Sequence, residues 1–248
     1  MLDAMRIAVL NLQSGIGITK GFRHYLTSGW KYVLPHSAKP IALAGQMLKQ
    51  EGADIALATE IDDDGLRSGF VLQSEVLKKH SGLANYEFFP TRTIEHLMHE
   101  GNGIFTGYEI LETHVYELSA GMVPRVLGET VLRIDGRKVH VFVAHLGLRN
   151  RYRKEQLKAI RDIVQVRKDP VILGGDFNER EHAAFELLTA ASFSHVVALP
   201  NFPSWRPRHP LIVLFLSHHF TEPKAHLQEE PAFSDHLSLI VETTLAKS

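Results

Sequence analysis

Val171-Ile172-Leu173-Gly174-Gly175-Asp176-Phe177-Asn178 is the stretch on which the reading of the fold turns. Three apolar residues run into two glycines, and a carboxylate and an amide follow on either side of one aromatic. Such a short apolar run reads as a strand buried on both faces. The glycines let the backbone turn sharply at its end. Asp176 and Asn178 then project from the turn at a spacing that sets both side chains beside one phosphate. Taken alone, the segment fits a Gly/Asp/Asn turn closed by a local hydrogen bond equally well.

Working outward, similar runs lie at Arg6 to Leu12, Asp54 to Ala58, Gly103 to Phe105, Thr130 to Ile134, Val139 to Ala144, Leu211 to Leu216 and Leu237 to Val241. Asp135-Gly136 is a hairpin signal between two of them. Helical spacing predicts helices over Ile41 to Lys49, Arg153 to Val166 and Ala183 to Ala190. Hairpins alternating with helices predict a mixed-sheet α/β fold and not a purely parallel array. In such folds ligands bind outside strand ends, so the polar residues there carry the argument.

The 248 residues contain 44% hydrophobic and 22% charged side chains, enough to bury a core without help. No low-complexity tract divides them, so one domain spanning 1–248 is expected. There is no cysteine, which excludes disulfides, thiolate metal sites and cysteine nucleophiles. The formal net charge is −1, so attraction to a polyanion needs a local patch. No basic leader precedes an apolar run, and nothing approaches the roughly 18 apolar residues of a membrane span. A soluble, cytoplasmic chain is expected, with Met5 an alternative start.

Several polar residues stand at strand ends. Ser234-Asp235-His236 precedes the last run, where an aspartate can bind a metal while the next side chain points the other way; strand-entry polarity explains it too. His145 closes Val139 to Ala144 and on its own reads as readily as a solvated histidine. Glu60 follows the second run and is trailed by Asp62, Asp63 and Asp64. A hard cation takes one or two carboxylates, so Glu60, nearest the strand, is the favoured ligand and the other three read as a solvated turn. Asn11, among apolar neighbours, must be hydrogen-bonded or coordinated.

Together these residues resemble the endonuclease/exonuclease/phosphatase superfamily, whose motifs come in the same order. Asn11 and Glu60 are similar to its first-strand asparagine and its metal-binding glutamate. Gly101-Asn102-Gly103-Ile104-Phe105 is similar to its Gly-Asn-Ala-Ile-Leu stretch, and Ala144-His145-Leu146 to its Thr-His-Leu, with Arg153 and Gln156 at its Arg-x-x-Gln spacing. Gly175-Asp176-Phe177-Asn178 and Ser234-Asp235-His236 complete the set, so the resemblance spans residues 6 to 242. It implies a four-layer α/β sandwich, two mixed β-sheets face to face flanked by helices. It implies a hydrolase of phosphate esters, a phosphodiesterase above all, dependent on Mg²⁺ or Mn²⁺. In that pattern Glu60, Asn11 and Asp235 hold the metal and Asp176 orients or deprotonates the attacking water. Asn178, His145 and His236 hold the phosphoryl oxygens, and Asn102 and Arg153 meet substrate.

Two positions depart from the pattern. Gln13 stands where many members have an aspartate, and Ile212 stands where an aspartate orients the final histidine. These support a different expectation, a catalytically impaired pseudoenzyme that binds phosphate-bearing ligands. A zinc hydrolase is disfavoured, because the 15 histidines form no HExxH or similar pair. As for the partner, residues 4 to 50 hold no Asp or Glu but contain Lys20, Arg23, Lys31 and Lys39 among Phe22, Tyr25, Trp30 and Tyr32. That mixture suits nucleic acid or a phospholipid headgroup layer, and equally a long loop with its aromatics packed beneath it.

Overall fold

The computed structural model describes residues 4–118, 121, 123–180, 185–190 and 192–246. The buried runs form the centres of two sheets. In the first, β1 (Met5–Asn11) lies parallel to β2 (Ile55–Asp62), and the order is completed by β3 (Asn85–Ile94), β4 (Met98–Thr106), β11 (Lys224–Gln228) and β12 (Ser238–Thr243) as β11-β12-β1-β2-β4-β3. In the second, β7 (Arg137–His145) lies parallel to β8 (Val171–Asp176) within the order β5-β6-β7-β8-β10-β9. There β5 is Glu109–Glu117, β6 Val126–Ile134, β9 Phe193–Val197 and β10 Ile212–Ser217. The remaining neighbours pair antiparallel.

The period of two along each central strand builds the layers. Ile7 and Val9 of β1 and Val139, Val141 and Val143 of β7 meet between the sheets. Ala8 and Leu10 face outward onto α2 (Lys39–Glu51) and α3 (Gln73–Ser81). Phe142 and Ala144 face α4 (Asn150–Val164) on the opposite side. Helix, sheet, sheet and helix therefore stack as four layers. Each fully buried aliphatic or aromatic side chain contributes about 1.5–3 kcal/mol.

Helix α2 begins with Pro40 in its first turn and ends where Gly52 adopts a left-handed φ of 64°, its N–H bonded to the carbonyls of Leu48 and Lys49. Helix α4 starts three residues before the expected Arg153. Of the helix expected over Ala183 to Ala190, the structure forms the single turn α5 (Glu186–Thr189), flanked by Phe185 and Ala190; residues 183 and 184 lie outside the described residues. The loop after β1 holds a helix the sequence did not signal, α1 (Phe22–Ser28), followed by a 3₁₀ turn at Gly29–Tyr32. No helix of the described residues is long and apolar enough to cross a membrane.

Candidate active site

Both parallel pairs, β1 with β2 and β7 with β8, bring their carboxyl ends to one edge of the sandwich, where Asn11, Glu60, His145 and Asp176 gather. Gly174 and Gly175 work differently from the expected turn, since both lie inside β8. A Cβ at Gly174 would fall 2.6 Å from Leu57 Cδ1 of the facing sheet. Gly175 has φ +144°, and a Cβ there would fall 1.9 Å from the Ala144 carbonyl oxygen. The glycines are needed for close approach, of sheet to sheet and of strand to strand.

Glu60 is aimed by a bulge. The pairing of β2 with β4 slips between Ala58 and Ile61, and Glu60 has a left-handed φ of 57°. Bulges of this kind redirect a side chain at strand ends. Asn11 then joins the two sheets: its Nδ2 donates to Glu60 Oε1 at 3.0 Å and to Asp176 Oδ2 at 3.0 Å. Its Oδ1 accepts the Gln13 N–H at 2.8 Å, so the amide oxygen faces the loop and the nitrogen faces the carboxylates. Gln13 Oε1 in turn accepts the Ile18 N–H, making Gln13 a brace of its own loop.

Asp176 is almost fully buried. Its Oδ1 accepts the Asn178 N–H at 2.9 Å, and Asn178 Nδ2 donates to the Leu146 carbonyl, fixing the two motifs against each other. His236 Nε2 lies 3.7 Å from Asp176 Oδ2 and His145 Nε2 lies 3.9 Å from Glu60 Oε1. One ligand atom each from Glu60, His145 and Asp176 lies within 4.8 Å of the others, so these three suit a metal ion. Asp235 lies outside that trio and accepts a short hydrogen bond from Tyr25 Oη.

The electrostatics fit a cation. Burial, then the neighbouring Glu100, Asp235 and Asp176, push the Glu60 carboxyl up to about 8 against the counteracting Asn11 bond. Burial likewise raises Asp235, in spite of His236 and the Tyr25 bond. Burial and then the Arg125 charge push the His145 imidazole down to about 3, leaving it neutral and able to bind a metal. A divalent ion would offset the burial and the repulsion that together raise the Glu60 carboxyl. Two unused donors suit an anion beside that cation. Among the described residues, Asn102 Nδ2 and Arg125 Nε are buried without a hydrogen-bond partner. Asn102 sits on β4 between Gly101 and Gly103, the register partners of Ile61 and Ala58, and so beside the Glu60 bulge.

Above these groups opens a cleft of ≈ 690 Å³. Arg92, Arg125 and Arg180 line it together with Glu60, His145, Asp176, Asn178, Asp235 and His236. These arginines share the lining with the carboxylates Glu60, Glu100, Asp176 and Asp235, so a chain of formal charge −1 offers an anion local cations here. The sequence did not single out these arginines, because isolated cations between strands carry no local signature.

Other expected site residues have different surroundings. Arg153 is buried under the loop after β7, its Nε on Glu179 Oε2 at 3.1 Å and its Nη1 on the Leu148 carbonyl. Gln156, one turn on, accepts the Gly147 N–H, so the Arg-x-x-Gln spacing clamps that loop from one face of α4. Asp62 and Asp63 do not form a solvated turn. Asp62 is fully buried and pairs with Arg67 Nε at 2.7 Å, and Asp63 holds the Ser74 backbone N–H at the start of α3. Asn201, unmarked in the sequence, is buried and exchanges hydrogen bonds with Leu199, Leu211 and Ile212, while its carbonyl accepts the Leu237 N–H. It fixes the loop that approaches His236.

No protein-family model and no curated protein matches the chain by sequence. The fold nevertheless has counterparts among solved structures. It has the fold of endonuclease/exonuclease/phosphatase structures. It is similar to one such protein from Beutenbergia cavernae at TM-score 0.73 and 18% identity, covering 98% of this chain and 72% of that one. It is similar to the human Nocturnin catalytic domain at TM-score 0.69 and 20% identity, covering 98% and 94%. It is also similar to the mannosyl-6-phosphatase of Bacteroides thetaiotaomicron at TM-score 0.68 and 16% identity, covering 97% and 100%.

Proposed function

We infer that the chain is a divalent-metal-dependent phosphoester hydrolase acting on phosphodiesters. The observation that carries this is the Asn11 amide, whose nitrogen holds Glu60 and Asp176 together at the base of an arginine-rimmed cleft. Glu60, His145 and Asp176 would hold Mg²⁺ or Mn²⁺, with Asp235 adding negative charge nearby. When bound, the ion supplies Lewis-acid stabilisation of charge on the phosphoryl oxygens, worth several kcal/mol. Asn11 acts by positioning the two carboxylates.

Asp176, with one oxygen fixed by the Asn178 N–H, orients the attacking water and takes its proton. The water oxygen bonds to phosphorus as the ester P–O bond breaks, and the departing alkoxide takes a proton from solvent water to leave as the alcohol. His236 Nε2, Asn178 and the unpaired Asn102 Nδ2 would hold phosphoryl oxygens. Arg92, Arg125 and Arg180 draw the anionic substrate in. Arg153 contributes through the loop it clamps.

One observation favours a second reading, a pseudoenzyme that binds phosphate without turnover. His236 Nδ1 is buried with no hydrogen-bond partner among the described residues, where the family pattern supplies a carboxylate. The deciding experiment is hydrolysis of bis-p-nitrophenyl phosphate with Mg²⁺ or Mn²⁺, before and after exhaustive EDTA treatment, beside Glu60→Gln and Asp176→Asn. Metal-dependent turnover lost in both variants is expected. Turnover surviving EDTA would overturn the metal assignment, and metal binding without turnover would establish the pseudoenzyme.

A further inference from the structure

The apolar residues left on the surface are unevenly placed. Among the described residues, nine of the fourteen exposed large hydrophobics lie in two segments, residues 22–34 and 66–72. Leu26 is 86% exposed, Phe22 71% and Phe70 59%, with Trp30, Val33, Leu34, Leu66 and Leu72 also open to solvent. Folding gains nothing from such exposure, and a concentration of this kind marks an interaction surface. The segments abut, since the His36 N–H donates to the Arg67 carbonyl at 3.1 Å. Phe22 and Leu26 are one helical turn apart on α1, on the same side.

This surface borders the cleft. Tyr25, from the same short helix, bonds Asp235, and Tyr32 and Arg67 line the cleft wall. Its charge is one-sided: Lys20, Arg23 and Lys39 are exposed, and no acid lies between residues 4 and 50. Asp64 is the one exposed acid of the adjoining loop.

We propose that residues 22–34 and 66–72 form a docking surface for an anionic lipid bilayer, placed so that the cleft opens beside the headgroup layer. The chemistry separates this occupant from others. Leu26, Val33, Leu34, Leu66 and Leu72 have no aromatic face on which a base could stack, but they partition readily into acyl chains. Phe22 and Tyr25 are already engaged with Trp205, at ring separations of 5.5 and 6.1 Å. Trp30 and Tyr32 suit the polar boundary of a bilayer, and the flanking cations suit its anionic headgroups. A second copy of the chain would set these cations against themselves. The proposal extends the phosphodiesterase reading by naming where its substrate lies, but docking requires no turnover, so the two can fail separately.

The test is co-sedimentation of the full chain with phosphatidylcholine vesicles, with and without phosphatidylserine. Binding to the phosphatidylserine vesicles is expected, weakened by salt and by Lys20→Ala with Arg23→Ala, by about an order of magnitude. Leu26→Glu and, separately, Leu34→Asn should reduce it at least as strongly. Both sites are solvent-exposed, so thermal melting and hydrolysis of the small chromogenic ester should stay at wild-type values. Absence of vesicle binding, or variants that bind like wild type, would overturn the proposal. So would a dimer in sedimentation velocity that Leu26→Glu dissociates, or oligonucleotide binding that Leu26→Glu abolishes while vesicle binding persists. Vesicle binding with no ester hydrolysis would uphold docking and refute the enzyme reading alone.

Discussion

Ile212 is the register partner of Asp176 in the ladder between β10 and β8, and its side chain packs into the layer between the two sheets. The family pattern has a carboxylate at this position, and His236 Nδ1 is buried without a partner. Ile212→Asp should supply the missing acceptor. A carboxylate beside an imidazole favours its charged form. The imidazole should then hold a phosphoryl oxygen more firmly, and kcat near pH 7 should rise severalfold. Burying the carboxylate should cost about 2–4 kcal/mol of stability in urea. An unchanged kcat in a folded variant would show that residue 212 does not reach the imidazole.

Glu60 yields a prediction about protons. Its carboxyl is pushed up to about 8 in the metal-free protein, so near neutral pH it is mostly protonated and must lose that proton to bind a metal. Mn²⁺ affinity should fall as pH drops below about 8, by up to tenfold per pH unit. Calorimetry in buffers of different ionisation enthalpy should detect close to one proton released per ion at pH 7. Glu60→Gln should abolish both the release and the pH dependence; release that persists in this variant would move the proton elsewhere.

Gly175→Ala should be among the most damaging single changes. The new Cβ would sit 1.9 Å from the Ala144 carbonyl oxygen at a φ that L side chains rarely adopt. A loss above about 4 kcal/mol is expected. Gly174→Ala meets the end of the Leu57 side chain, which can shift, and should cost about 1–3 kcal/mol. Urea denaturation of both variants ranks them, and equal losses would contradict the geometry.

The central strands were legible because both their faces are buried, which leaves unbroken apolar runs such as Ile7 to Leu10 and Val171 to Leu173. The edge strands β3, β5 and β11 were not, because solvent wets them and the residues Glu109 to Glu117 are mostly exposed. The candidate site residues stood out individually at strand ends, and only the family resemblance gathered them into one site. Nothing in sequence shows that a bulge turns Glu60 towards His145, or that the Asn11 nitrogen, and not its oxygen, faces the carboxylates. Asp62 and Asp63 were misread as solvent-facing because their partners, Arg67 and Ser74, are supplied by the following loop and helix.

Glu129 does not line the cleft, and its hydrogen bonds should contribute to stability against acid. Burial alone would raise its pKa, but hydrogen bonds from His140, Arg167 and Tyr116 outweigh burial and hold it at about 2. Its folded value lies below the usual 4.5, so its contribution is complete above that pH and is lost as pH falls towards 2. The loss amounts to about 3 kcal/mol. Thermal melts from pH 6 to about 2 should show this decline, and Glu129→Gln should flatten it.

Because Asn11 belongs to one sheet and Asp176 to the other, whatever occupies the cleft also clamps the sandwich shut. Glu60 and Asp176, if they held an ion, would resist separation, and its binding free energy would add to the cost of opening the whole core. Amide hydrogen exchange should report this. The slowest amides of β1 and β8, which exchange only when the sheets part, should slow by a common factor on addition of Mn²⁺. Amides of the peripheral strand β11, which can open locally, should keep their rates.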